Sequence, residues 1–105
     1  MKDLSDKEIR RIIKDLKPRM FHTPTFEEQG KGITALGSLK DERCIRPLSQ
    51  MLFHRDKNIR ILAINSIKEI KSEKILPILQ HCLTDDEISI RELAKTAIDQ
   101  MKSRI

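Results

Sequence analysis

Tryptophan and tyrosine are absent from the 105-residue sequence, and phenylalanine occurs only at Phe21, Phe26 and Phe53. Base stacking by a nucleic-acid binder would rest on those three rings, and their setting reads as packing. Cysteine is limited to Cys44 and Cys82, which lack Cys-x-x-Cys spacing and fall inside apolar helical patterns. Both read as small core residues in a reducing compartment, without a disulfide, and a cytoplasmic location is the expectation. Only three glycines are present, and none forms a phosphate-cradling loop. His22, His54 and His81 are scattered over loops and helix ends. The adjacent His81-Cys82 pair would point about 100° apart on a helix, so no metal site is expected. No nucleophile with its base and no paired carboxylates stand out, so neither catalysis nor a cofactor is expected. The opening residues are charged rather than apolar, and no apolar run approaches the ~20 residues of a membrane span.

Charge, by contrast, is abundant. Charged residues make up 35% of the chain and the formal net charge is +5. Residues 1–24 carry seven basic and four acidic side chains, and residues 41–71 carry the same numbers. Residues 25–40 balance, and residues 72–105 carry five basic against six acidic. The positive excess in the first two-thirds permits an acidic partner or nucleic acid, although mixed-sign surfaces of this kind are commonly just solvated.

An internal repeat organises the chain. Ile45, Pro47, Leu48, Gln50 and Asp56 recur as Ile75, Pro77, Ile78, Gln80 and Asp86, each 30 residues later. After a one-residue insertion, Ile59, Arg60, Leu62, Ala63, Ile67 and Ile70 recur as Ile90, Arg91, Leu93, Ala94, Ile98 and Met101, each 31 later. Stepping back 31 residues, Gly32, Ile33, Leu36 and Leu39 precede Ala63, Ile64, Ile67 and Ile70. Three copies follow, at about 4–39, 42–71 and 73–103, the first of them degenerate.

Each copy predicts two helices. The first of each pair has apolar residues at helical spacing, as in Ile45, Leu48, Met51 and Leu52, with proline near its start. The second begins after an acidic N-cap, Asp56 or Asp86, and its apolar face runs Ile59, Leu62, Ala63, Ile67, Ile70. In the first copy Ser5-Asp6-Lys7-Glu8 is a capping box opening a helix with the stripe Ile9, Ile12, Ile13 and Leu16, which Lys17-Pro18 is expected to end. A longer connection containing Pro24 leads to a second capping box, Thr25-Phe26-Glu27-Glu28, and a helix to Leu39. The expected fold is all-α, a short α-α superhelix of six helices in three antiparallel pairs. Gly32, Ala63 and Ala94 are small where paired helices should approach most closely. The starting Met and the degenerate first copy favour a natural N-terminus, and residues 102–105 read as a weak cap.

The run ALGSLKDERCIRPLSQMLFHRDKNIRILAINSIKEI, residues 35–70, resembles the HEAT-like repeat of the phycobilisome-lyase type. The shared features are Ala-Leu-Gly, an acidic turn, an apolar helix with Pro-Leu, an Asp, then Ile-Arg and a small residue. The resemblance covers residues 25–101, and residues 1–24 fit by helix pattern only. It implies an armadillo-type solenoid scaffold without a transferable catalytic residue. It also implies that Asp56, Arg60, Asp86 and Arg91 form a structural ladder between neighbouring repeats, with Gln29 at the arginine position of the first. An accessory role related to bilin lyases is a weaker implication. Nucleic-acid binding on a basic face is the main alternative, since HEAT-like stacks include helical-repeat DNA glycosylases.

A helical wheel of the middle copy places Lys57, Ile61, Ile64 and Lys68 about 180° from its core positions. Their counterparts in the third copy include Glu92 and Lys95, whereas the first supplies Ile33 beside Ile64. Ile33, Ile61 and Ile64, rimmed by Lys31, Lys57, Asn65 and Lys68, are therefore expected to form an exposed protein-binding patch on the second helices. The competing reading is of scattered surface isoleucines, which are common. Leu76 and Leu79, which replace Arg46 and Ser49, are expected to expose further apolar surface suited to self-association or to contact with a further repeat.

Overall fold

The computed structural model describes residues 4–22 and 25–103; Pro24 and the Arg104-Ile105 end lie outside them. Six α-helices form among the described residues: α1 (Asp6–Phe21), α2 (Phe26–Ser38), α3 (Ile45–Gln50), α4 (Lys57–Lys68), α5 (Leu76–Cys82) and α6 (Ile88–Lys102). Single 3-10 turns lead into α3 and α5 and follow α3. No strand occurs among the described residues. The helices pack in the pairs α1/α2, α3/α4 and α5/α6, and α4 also touches both α2 and α6. The second helices thus make one continuous layer, a short α-solenoid measuring 36 × 33 × 19 Å.

The helix starts follow the predicted chemistry. At α1 both halves of the capping box are made: Glu8 N donates to Ser5 Oγ at 3.2 Å and Ser5 N to Glu8 Oε1 at 3.1 Å. Thr25 Oγ1 accepts from Glu28 N at α2, and Asp56 Oδ1 accepts from Asn58 N at α4. Pro18 does not end α1 as expected. The helix continues to Phe21 with Pro18 inside it. Proline lacks one N–H, but its ring is on the solvent side and the His22 amide closes the helix on the Pro18 carbonyl at 2.8 Å.

The core is built from aliphatic side chains at the repeat positions, among them Leu36, Leu48, Ile59, Ala63, Ile67, Ile90 and Ala94, all fully buried. Cys44 and Cys82 are buried and free. Burial pushes both thiols up to about 11, which suits inert packing groups. Gly32 lies against α1, where an added Cβ would sit 3.1 Å from Met20 Cγ. Gly37 is tighter: a Cβ there would come within 2.6 Å of Ser66 Cβ and 2.8 Å of Ser66 Cα. The α2–α4 seam therefore closes on bare glycine backbone.

The polar ladder forms in one place, where Arg60 reaches the expected Asp86 and also Asp85, a partner that was not expected. Arg60 grips Asp85 in a fork, Nε to Oδ2 at 3.1 Å and Nη2 to Oδ1 at 3.2 Å, while Asp86 takes Nη2 at 3.1 Å from an exposed position. Asp56 serves as N-cap instead of partner. The N-cap of α6 is Glu87, not Asp86, because the 31-residue register already holds at the turn and pairs Asp56 with Glu87 and His54 with Asp85. Both of the latter accept from the amide two residues on, through His54 Nδ1 (3.0 Å) and Asp85 Oδ1 (2.9 Å). Their carbonyls take Arg60 and Arg91 at 2.7 and 2.6 Å. Gln29 likewise donates to the Met20 carbonyl at 3.3 Å. The charged rung thus joins the second and third helix pairs only; between the first and second, Gln29 and His54 stand in the homologous places.

Two predictions follow from this packing. Gly37→Ala should lower stability by about 1–3 kcal/mol through overpacking, despite the gain of up to ~1 kcal/mol usual for Gly→Ala in a helix. Gly30→Ala, whose Cβ would meet only the flexible Leu62 Cδ1 at 3.2 Å, should stay within about 1 kcal/mol of wild type; urea unfolding of both variants checks this. The second concerns Asp85. Burial raises its carboxyl, but the Glu87 amide and the Arg60 guanidinium outweigh burial and hold it below the ordinary range. A depressed carboxyl stabilises fully above its unfolded value near ~4 and loses that contribution as pH falls through the folded value. Asp85→Asn should therefore cost about 2 kcal/mol at pH 7, below the ~3–5 of a fully buried pair, and should show a shallower acid loss between pH 4 and 2 than wild type.

Candidate functional site

The patch expected on the second helices is not exposed. Ile33 and Ile64 are both 0% accessible and Ile61 is half-buried. The reason is that a second helix inside a stack is covered on three sides. Leu62 and Ser66 lie on the α4 flank facing α2, where Gly30 and Gly37 meet them. Ile61, Ile64 and Lys68 lie on the opposite flank, towards α6. Repeating by 31, the flank facing the next pair reads Gly30, Ile33, Gly37 on α2, then Ile61, Ile64, Lys68 on α4, and Glu92, Lys95, Asp99 on α6. The last three are exposed. The polar residues of α6 therefore mark a free flank, and the isoleucines of α2 and α4 mark contacts between pairs.

The rim residues fare differently from the isoleucines. Lys31 is exposed and pairs with Glu27 at 3.4 Å. Lys57 reaches Glu87 at 3.8 Å. Asn65 is exposed and Lys68 half-buried. Leu79 is fully buried and Leu76 half-buried, so the apolar surface expected there for self-association is absent; Leu79 sits on the core side of α5.

What the second helices do present is a groove along the α2–α4 seam. One depression of about 480 Å³ is lined by Phe26, Glu27, Gly30, Lys31, Thr34, Ala35 and Leu62. A second, of about 400 Å³, is lined by Thr34, Gly37, Ser38, Lys40, Leu62, Asn65, Ser66 and Glu69. They share Thr34 and Leu62 and so form one trough. Small residues on α2 lower its wall, Leu62 supplies an apolar floor, and Phe26, 49% exposed, stands at one end. Thr34, Asn65 and the mixed charges of Glu27, Lys31, Lys40 and Glu69 edge it. Such a surface offers apolar burial with polar contacts at its margins, as polypeptide-binding surfaces do. Lys31 and Asn65 are the expected residues that it retains; Phe26, Thr34 and Leu62 were missed, and the signal for them was the pair of glycines spaced seven apart on the flank of α2.

Phenylalanine also departs from expectation. All three rings are exposed, Phe53 most at 74%, with Phe53 tilted against His81 at a centroid distance of 5.2 Å. Phe21 and Phe53 border a notch of about 230 Å³ with Met20, Gln29, Gln50, Met51 and His54. Phe21 ends α1 and Phe53 ends the 3-10 turn that follows α3, where the chain turns towards the second helix and the core has run out.

No group of three or more His, Cys, Asp or Glu among the described residues is placed to hold a metal ion. No helix among them is long and apolar enough to cross a membrane. A comparison with curated proteins returned no match. The family model for HEAT repeats matches residues 13–99, a span that runs from the middle of α1 nearly to the end of α6. Together with the paired helices and their 31-residue register, this match shows that the chain belongs to the HEAT-repeat family.

Proposed function

We propose that the chain is a non-catalytic interaction module that holds a segment of a partner protein in the groove between α2 and α4. HEAT repeats generally mediate protein–protein interaction or scaffolding. The observation that carries the reading to a place is the trough itself: two adjoining depressions of about 480 and 400 Å³ on the second-helix layer, floored by Leu62 and edged by hydrogen-bonding groups. Its length along α2, from Phe26 to Ser38, is about 18 Å at 1.5 Å per residue. That suits about five extended residues or three turns of helix. The phycobilisome-lyase resemblance of residues 35–70 supports the scaffold and adds no chemistry to it.

Thr34 is exposed in the middle of the trough, so Thr34→Arg should fill it while leaving folding within about 0.5 kcal/mol of wild type. Phe26→Asp should behave alike, because an acidic residue at the first turn of α2 suits the helix dipole. A photo-crosslinking residue at Asn65 should yield a discrete partner adduct that either change abolishes, and the same residue at Gln80, exposed on α5, should not yield it. An adduct from Asn65 that survives Thr34→Arg would contradict the groove as the docking place.

A further inference from the structure

The large apolar side chains that stay exposed gather at one edge of the stack. Six are exposed among the described residues, and Leu4 alone lies away from the turns inside the helix pairs. Phe21 and Phe26 flank the first turn, Phe53 opens the second, and Leu83 and Ile88 flank the third. Phe26 stands at the groove. The other four, 38%, 74%, 41% and 58% exposed in chain order, form a row along the turn edge. Phe21 and Phe53 border one notch, Phe53 lies against the His81 ring, and Leu83 follows His81 by two residues. At ~200 Å² for a fully exposed side chain of this size, the row presents about 400 Å². Isolated surface apolar residues need no explanation, but a contiguous row of this area does.

From this row we infer that two copies of the chain pair through the turn edge, about a two-fold axis between the second and third turns. Such a contact requires a surface complementary to itself, and the charges of the edge meet that condition. Arg55 and Asp86 hold equivalent places 31 residues apart, and both are exposed. Arg55 enters no ion pair among the described residues, and Asp86 keeps one bond from Arg60 while its side chain is 92% exposed. Opposite charges at equivalent places one repeat apart exchange under the axis, so each Arg55 meets Asp86 of the other copy. The same rotation turns Phe53 towards Leu83 of the other copy. Copies do not continue the stack end to end, because the free flank of α6 carries the exposed Glu92, Lys95 and Asp99. An anionic bilayer laid on the row would meet Asp86 and Glu87. Edge to edge, two copies bury about 800 Å² of apolar surface before the polar rim is counted, near the lower end of specific interfaces, so the dimer is weak. None of these residues lines the α2–α4 groove, and the pairing does not depend on what that groove holds.

The test is analytical ultracentrifugation of the full chain from about 10 μM to 1 mM, where the wild type should pass from monomer to dimer with a Kd of about 10–100 μM. Phe53→Asp should remain a monomer throughout. Arg55→Glu and Asp86→Lys should each weaken association at least about tenfold, since each sets like charges against each other twice across the axis. Mixed in equal amounts, the two variants should associate about as tightly as wild type, because both cross-axis pairs are then opposite in sign. Circular dichroism checks that each variant is folded. Asp86 also touches Arg60, so a second measurement avoids the charge reversal: oxidised Arg55→Cys/Asp86→Cys should give a disulfide-linked dimer, and Arg55→Cys alone should not. The inference is overturned if the wild type is monomeric at 1 mM, if Phe53→Asp associates like wild type, if the mixture associates no better than its components, or if the double cysteine variant does not cross-link.

Discussion

The tightest of the three glycine contacts, Gly37 of α2 against Ser66 of α4, sets the spacing of the α2–α4 seam. With a hydrogen in place of a methyl group, the two backbones come near enough that an added Cβ would overlap Ser66. Dense interiors do not absorb such an overlap without moving a helix. Where the seam closes at Gly37, Ile33 is locked inside it, and the outer surface above the small residues sinks into a trough. The groove and the stability of the first two helix pairs thus share one cause. Across the α4–α6 seam, Ile61 and Ile64 occupy the places of Gly30 and Ile33, and bulk replaces close approach there.

Fold was legible in the sequence because the signals that define it are local or periodic. The 31-residue recurrence, the caps at Ser5, Thr25 and Asp56, and the apolar spacing all survive in the structure. What the helical wheel could not carry was the third direction. A wheel separates one buried face from one exposed face, which holds for a helix lying on a single neighbour. α4 has three neighbours, so its solvent arc narrows to the side of Asn58, Leu62, Asn65 and Glu69, and Ile64 falls on a covered flank. The clue was present in Lys95: the same position is apolar where another pair follows and charged where the described chain shows none. Asp86 was misplaced for a related reason, since matching Asp to Asp put the insertion one turn too late, whereas the helix starts place it before Asp85.

Ion pairs join the helix pairs along two edges. The Arg60–Asp85 fork is largely shielded from solvent, with side-chain exposures of 12% and 13%, and it ties the third pair to the second. The opposite edge carries Arg43–Asp6 and Lys74–Glu42, more exposed pairs that contribute little to stability. At the junction of the first two pairs the charged rung is replaced by Gln29 and His54, and the close glycine seam takes over the work of holding them together.

Since the account turns on Ile64 being a contact between helix pairs rather than part of an exposed patch, urea unfolding of Ile64→Ala tests it most directly. Full burial between α4 and its neighbours predicts a loss of about 2–5 kcal/mol with an unchanged m-value. A loss below about 0.5 kcal/mol, the range of an ordinary surface position, would put Ile64 in solvent and contradict the packing of the layer.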